Sequence, residues 1–231
     1  HRPTLDRYHK HTTPEQVQHS LQALAEHGVV ADFRMLAFHP WATLETLACE
    51  LGALRDIQPF LRSPFALHDL VLYAGTPLAR HYLSEQPRCE RPATSAARGE
   101  AALRLEYQAA EPTVEVLRRL NLLVFGLRAQ PGGLHERVAA AWYDALLDRR
   151  FQPSVGADEA VAGLSAVVAD LNASSLAVWE AMMQWAGCAD LHDNEEVGEK
   201  AAGWCAQARL DELKLALRLE ALQARSAGPH L

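Results

Sequence analysis

Between Ala31 and Pro77 the sequence places two short apolar runs on either side of a single helical pattern, and few folds accommodate that order. Phe33 to Phe38 is apolar and aromatic and stops at His39-Pro40, while Leu67 to Tyr73 stops at Ala74-Gly75-Thr76-Pro77. Between them Leu44, Leu47, Ala48, Leu51 and Leu54 recur at three- and four-residue spacing, one face of a helix with Thr43 as its N-cap. Strand, helix and strand in that order predict a right-handed βαβ unit, with parallel strands at 29–38 and 67–73 joined by a helix over 43–56. Parallel sheets bind ligands beyond the carboxyl ends of their strands, so His39, Pro40 and Trp41, with Tyr73 and Gly75-Thr76-Pro77, are placed to touch chemistry.

Upstream, Thr13 as N-cap, Pro14 at the first helical position, Gln16 completing a capping box and Gly28 beyond the end define a helix that buries Val17, Leu21, Leu24 and Ala25. A helix opening such a series ordinarily follows a strand, so the sheet is expected to be cut off on its N-terminal side. The edge of the 29–38 strand then lacks a neighbour, which predicts self-association or a partner segment that covers it. Downstream, the polar stretch 85–99, with two prolines and a glycine, reads as a linker. No strand pattern recurs after it. Helices are predicted over 100–109, 112–127, 134–149, 158–186 and about 194–225, with a break offered at Asn172-Ala173-Ser174, and Trp179, Met182, Met183 and Trp185 read as core, with the lining of an apolar substrate or partner groove as the alternative. The expected organisation is α/β then all-α: an α/β part over 1–84, a linker over 85–99 and a helical domain over 100–231.

Asp and Glu outnumber Lys and Arg by 29 to 22, giving a net charge of −7 that would repel a phosphate backbone, so nucleic acid is not an expected partner. The longest uninterrupted apolar stretch, around Leu122 to Phe125, is far shorter than the roughly 20 residues of a spanning helix. With a polar, charged start, this predicts a cytoplasmic protein without a membrane partner. Cys49, Cys89, Cys188 and Cys205 are scattered, form no C-x-x-C pair, and are expected as buried, reduced thiols.

Three motifs carry a resemblance. The opening L-D-R-Y-H-K-H-T-T-P-E-Q, the strand-end F-H-P-W-A-T-L-E and the later L-Y-A-G-T-P-L resemble, in order and spacing, the second half of a radical SAM domain of the cobalamin-binding branch, over about Leu5 to Leu83. The resemblance implies the C-terminal part of a partial (β/α)6 TIM-like barrel, with S-adenosylmethionine, a [4Fe–4S] cluster and, in this branch, cobalamin as cofactors. It implies radical-based methyl transfer or ring-forming chemistry on a small organic substrate. It gives His39 and Tyr73 catalytic roles and Tyr8, Lys10, Phe38 and Pro40 cofactor contacts. Read as residues alone, Tyr8 and Lys10 equally suit a solvated loop before the Thr13 cap, and His39 a hydrogen-bonded turn histidine. The family's C-x-x-x-C-x-x-C cluster motif is absent from this sequence, so the cluster and most S-adenosylmethionine ligands are expected from a missing N-terminal barrel half or a partner chain. His9, His39 and Ala74 replace the Asn, Asp and Pro usual in the family. Those departures favour the alternative, a non-catalytic descendant serving as an interaction or scaffold protein.

Overall fold

Side-chain caps set where the helices of this chain begin. In a computed structural model describing residues 2–8, 10–85, 104–128, 130–188 and 194–226, helix α1 (Arg2–Arg7) is a short lead-in. Helix α2 (Pro14–Glu26) starts at Thr13, whose side chain accepts from the Gln16 backbone while Gln16 returns the bond, and it ends before Gly28 at φ +66°. Thr43 and Thr46 form the same reciprocal box at the start of α3 (Leu44–Ile57). Strand β1 (Arg34–Phe38) precedes α3 and β2 (Ala66–Asp69) follows it, and the two pair in parallel with Arg34 opposite Ala66 and Met35 opposite Leu67. This is the strand–helix–strand unit that the spacing predicts.

The surroundings of that unit differ from the expectation. Of the described residues 71% are helical, and the strands form only two separate two-stranded sheets. A partial TIM-like barrel is therefore not what the chain forms; the protein is mostly helical. Hydrogen bonding explains why. Leu70 N–H donates to Phe38 O at 2.7 Å and ends the β1–β2 ladder, so the run Leu67 to Tyr73 splits. Its second part becomes β3 (Leu72–Tyr73), which pairs antiparallel with β4 (Arg104–Leu105). The stretch predicted as a helix over 100–109 is instead extended where described. Its bonds return to the end of β1: Tyr107 Oη–H donates to Phe38 O at 2.7 Å, and Ala110 N–H to Pro40 O at 2.8 Å. The linker expected over 85–99 lies, apart from its first residue, outside the described residues.

Helix α4 (Pro77–Glu85) follows β3, and the rest is helical: α5 (Pro112–Phe125), α6 (Leu134–Phe151), α7 (Val155–Ala186) and α8 (Asn194–Ser226). Two apolar cores share α7. Its C-terminal half packs Trp179 and Met182 against Phe38, Leu47, Leu54 and Leu117, and its N-terminal half packs Val161, Leu164 and Leu171 against Trp142 and Leu219. By length and composition α7 could cross a membrane, with a mean hydropathy of 1.5. Its apolar side is here occupied by neighbouring helices and the sheet.

Asn172 does not break α7. Its amide turns out of the helix to cover the outer edge of β2: Asn172 Oδ1 accepts from Phe65 N–H at 3.1 Å, and Asn121 Nδ2 of α5 donates to Leu67 O at 3.2 Å. Two asparagines thus do what a third strand would do, satisfying buried backbone groups. Replacing Asn172, which is 1% exposed, with Leu keeps the branched outline but strips the acceptor from Phe65. The expected loss is about 1–3 kcal/mol in urea unfolding; an unchanged midpoint would mean that this bond does not support the edge.

Candidate functional site

The carboxyl end of β1 gathers the titratable side chains. His39 follows Phe38 directly and turns the chain, its carbonyl accepting from Ala42 N–H at 3.0 Å. His39 is 2% exposed, and neither Nδ1 nor Nε2 has a hydrogen-bond partner. The Tyr8 ring stands edge-on to it at 5.8 Å, and Trp41 lies at 6.3 Å. Tyr8 Oη is buried and likewise without a partner, as is Glu50 Oε2 on α3. Glu50 raises Tyr8 electrostatically, and it lines the same small space as Met35 and Ala37 of β1, under the strand that leads into His39.

Burial dominates the electrostatics, because removing water penalises whichever form is charged. It lowers His39 to about 4, helped by the Arg7 guanidinium, so the imidazole is neutral at pH 7. It raises Glu50 to about 7, so this carboxyl is shared between its two forms at neutral pH. Tyr8 is pushed well above the usual tyrosine value, first by burial and then by Glu50, and stays a phenol. One region thus holds a neutral imidazole, a phenol and a carboxyl that titrates near neutrality. Such perturbed groups cluster at functional sites.

An aromatic wall closes the same end. Arg7 lies 4.6 Å over the Trp41 ring, His81 of α4 stacks on Trp41 at 5.7 Å, and Tyr82 meets it edge-on at 6.0 Å. The Trp41 indole N–H donates to Glu85. The turn into α4 is made by Gly75 at φ +83°, where a side chain would be strained, and by Thr76 Oγ1, which accepts from Ala79 N–H at 3.2 Å. Residues from all three sequence motifs therefore meet in one cluster, which includes Tyr8, Trp41, Leu72 and Leu78.

The sequence-predicted residues divide accordingly. Tyr8, His39 and Trp41 come together. Phe38 is fully buried against Trp179 at 5.7 Å and contributes its carbonyl to Tyr107 and Leu70, a structural role. Pro40 is buried and anchors Ala110. Lys10 is exposed, and Tyr73 is 40% exposed on β3, so neither joins the cluster. Sequence reasoning missed Glu50, although Leu47, Glu50, Leu51 and Leu54 share the stripe spacing of α3 and a carboxylate there is a visible anomaly. His9 lies outside the described residues.

The cysteines do not fit an iron–sulfur cluster. Cys49 on α3 and Cys188 after α7 are exposed rather than buried as expected, Cys205 on α8 is half-buried, and Cys89 lies outside the described residues. Among the described residues no three His, Cys, Asp or Glu side chains are grouped to hold a metal. No family model, curated protein or solved structure matches the chain.

Proposed function

We propose that this chain is part of a cobalamin-type radical SAM enzyme, with the [4Fe–4S] cluster and most S-adenosylmethionine ligands supplied from outside it. One observation carries the reading. Residues of three motifs well separated in the sequence, which resemble that family in order, meet in one cluster at the carboxyl end of β1, where Tyr8 and Trp41 flank a buried, partnerless histidine. The cluster and S-adenosylmethionine would supply the radical, and no step through them is assigned to residues of this chain. His39, neutral at pH 7, can accept or deliver a proton at a ring nitrogen. Tyr8 can donate from Oη, Glu50 can take or return a proton near neutrality, and the burial of His39 keeps bulk water from its ring.

Co-expression with a radical SAM segment carrying C-x-x-x-C-x-x-C, followed by iron and sulfide reconstitution, tests this. The expected complex shows [4Fe–4S] absorption and releases 5′-deoxyadenosine from S-adenosylmethionine. His39→Phe is expected to lower product formation by about a hundredfold while leaving the absorption intact. A complex that binds no S-adenosylmethionine would remove the reading.

A second reading, an interaction or scaffold protein, is favoured by the edge of β1. Among the described residues β1 pairs with β2 alone, and Leu36 on it is 42% exposed. Sedimentation of the 231-residue chain separates the two: association that Leu36→Lys abolishes, with no deoxyadenosine from the co-expressed complex, would favour the scaffold.

A further inference from the structure

A second concave region runs along the outer edge of β2, apart from the His39 cluster and independent of its assignment. Its space of about 340 Å³ lies within the range of small-molecule sites. Leu67 and Asp69 line it on the strand side, and Asn121, His135, Ser175 and Trp179 on the helix side.

The helix side carries a buried positive charge to which no carboxylate is hydrogen-bonded, Asp211 and Glu212 acting on it only through space. Arg128 is fully buried, yet its guanidinium meets only neutral acceptors: Nη1 donates to Ser175 Oγ at 3.0 Å and Nη2 to Ala208 O at 2.7 Å, while Nε has no partner. A buried cation with no carboxylate in direct contact is costly, so this wall favours an anion. Ser175, which lines the cleft, accepts from the cation and so keeps its own proton to donate. His135 lines the same wall, is 9% exposed, and its Nε2 has no partner. Burial, then Arg128 and His68, lowers it to about 4, so it enters as a neutral imidazole with one N–H to offer.

The strand side is opposite in character. Asp69 Oδ2 is held by Arg118 Nε at 3.0 Å and Nη2 at 2.8 Å, but Asp69 Oδ1 is buried without a partner. A carboxylate oxygen left free in a cleft wall calls for a donor. Leu67, Phe125 and Trp179 supply apolar surface in the same cleft.

We propose that this cleft binds a small zwitterion of the amino-acid class, its carboxylate on Ser175 and His135 beside the Arg128 charge, and its ammonium on Asp69 Oδ1. The full 231-residue chain is titrated by calorimetry with a panel of L-amino acids, and with acetate and methylamine as single-charge probes. At least one amino acid is expected to bind with millimolar affinity or better, and both probes at least tenfold more weakly. Ser175→Ala and Asp69→Asn are each expected to weaken binding about tenfold, the worth of one hydrogen bond to a charged group. Because a substitution in this cleft can also impair folding, the nitrogen chemical shifts of His135 are followed in the unsubstituted protein during the same titration. They are expected to move with the amino acid and not with methylamine. The proposal is overturned if no amino acid binds the folded chain, if acetate binds as tightly, or if the His135 shifts stay fixed while binding occurs.

Discussion

Alanine in place of Trp179 is expected to cost about 3–5 kcal/mol of stability, the range for emptying a buried site of a large aromatic side chain. Trp179 is 2% exposed and sits between two rings, Phe38 at 5.7 Å and Phe125 at 6.1 Å, the second nearly parallel to it at 16°. Those rings belong to β1 and α5, so one side chain on α7 ties the parallel pair to the helices. The surrounding residues cannot collapse into the space without moving the strand that leads into His39. Trp185 is the control. It lies near the end of the same helix, is only partly buried, packs edge-on against Trp204 at 5.4 Å, and bonds Glu196 from its indole N–H. Trp185→Ala should therefore lose markedly less. Urea unfolding followed by circular dichroism of both variants decides. Equal losses would mean that Trp179 is not the wedge between the sheet and the helices.

How much of this was legible follows from the range of the interactions involved. Thr13 with Gln16, and Thr43 within the sequence before Leu44, announce their helices because a cap is completed within a single turn. The parallel pairing of β1 and β2 was legible too, since a connection by one amphipathic helix admits little else. What the residues could not announce is where strands end. Leu67 to Tyr73 is one unbroken apolar run, and its division rests on a bond from Leu70 back to Phe38, on the far side of α3 in the sequence. The extended stretch around Arg104–Leu105 looks helical locally but is held by Tyr107 and Ala110 bonding back to Phe38 and Pro40. At the site, His39 stood out because a strand-end position marks it. Lys10 and Tyr73 stood out equally and face solvent, since strand-end placement says nothing about which way a side chain turns. Glu50 is hidden because the stripe spacing of α3 marks its position as core whatever the charge of the side chain placed there.

Glu50→Gln is expected to raise stability at pH 8 by an amount on the order of 3 kcal/mol and to flatten the alkaline side of the stability curve. Glu50 moves from 4.5 to about 7 on folding, so the native state holds a proton that the unfolded chain has released. Its contribution is complete below pH 4.5 and is lost as the pH rises through about 7. His39 and His135 run the other way. Both fall from 6.5 to about 4, so their contribution is complete above pH 6.5 and is lost as the pH falls through about 4. Between pH 4.5 and 6.5 the rising slopes of His39 and His135, joined in direction by His68, whose pKa burial also lowers, oppose the one falling slope of Glu50, and the sum rises; above pH 6.5 the Glu50 slope prevails, and stability falls. The wild-type maximum therefore lies near pH 6.5. The substituted amide has no proton to lose, so the variant should keep rising to about pH 6.5 and then stay level, with the gain reduced by whatever bond the buried amide fails to make. Urea midpoints from about pH 5 to 8 measure both curves. Parallel curves for the two proteins, or wild-type stability that climbs from about pH 6.5 to 8, would show that Glu50 is ionised without penalty and that the carboxyl beside Tyr8 is not the proton-holding group of the cluster.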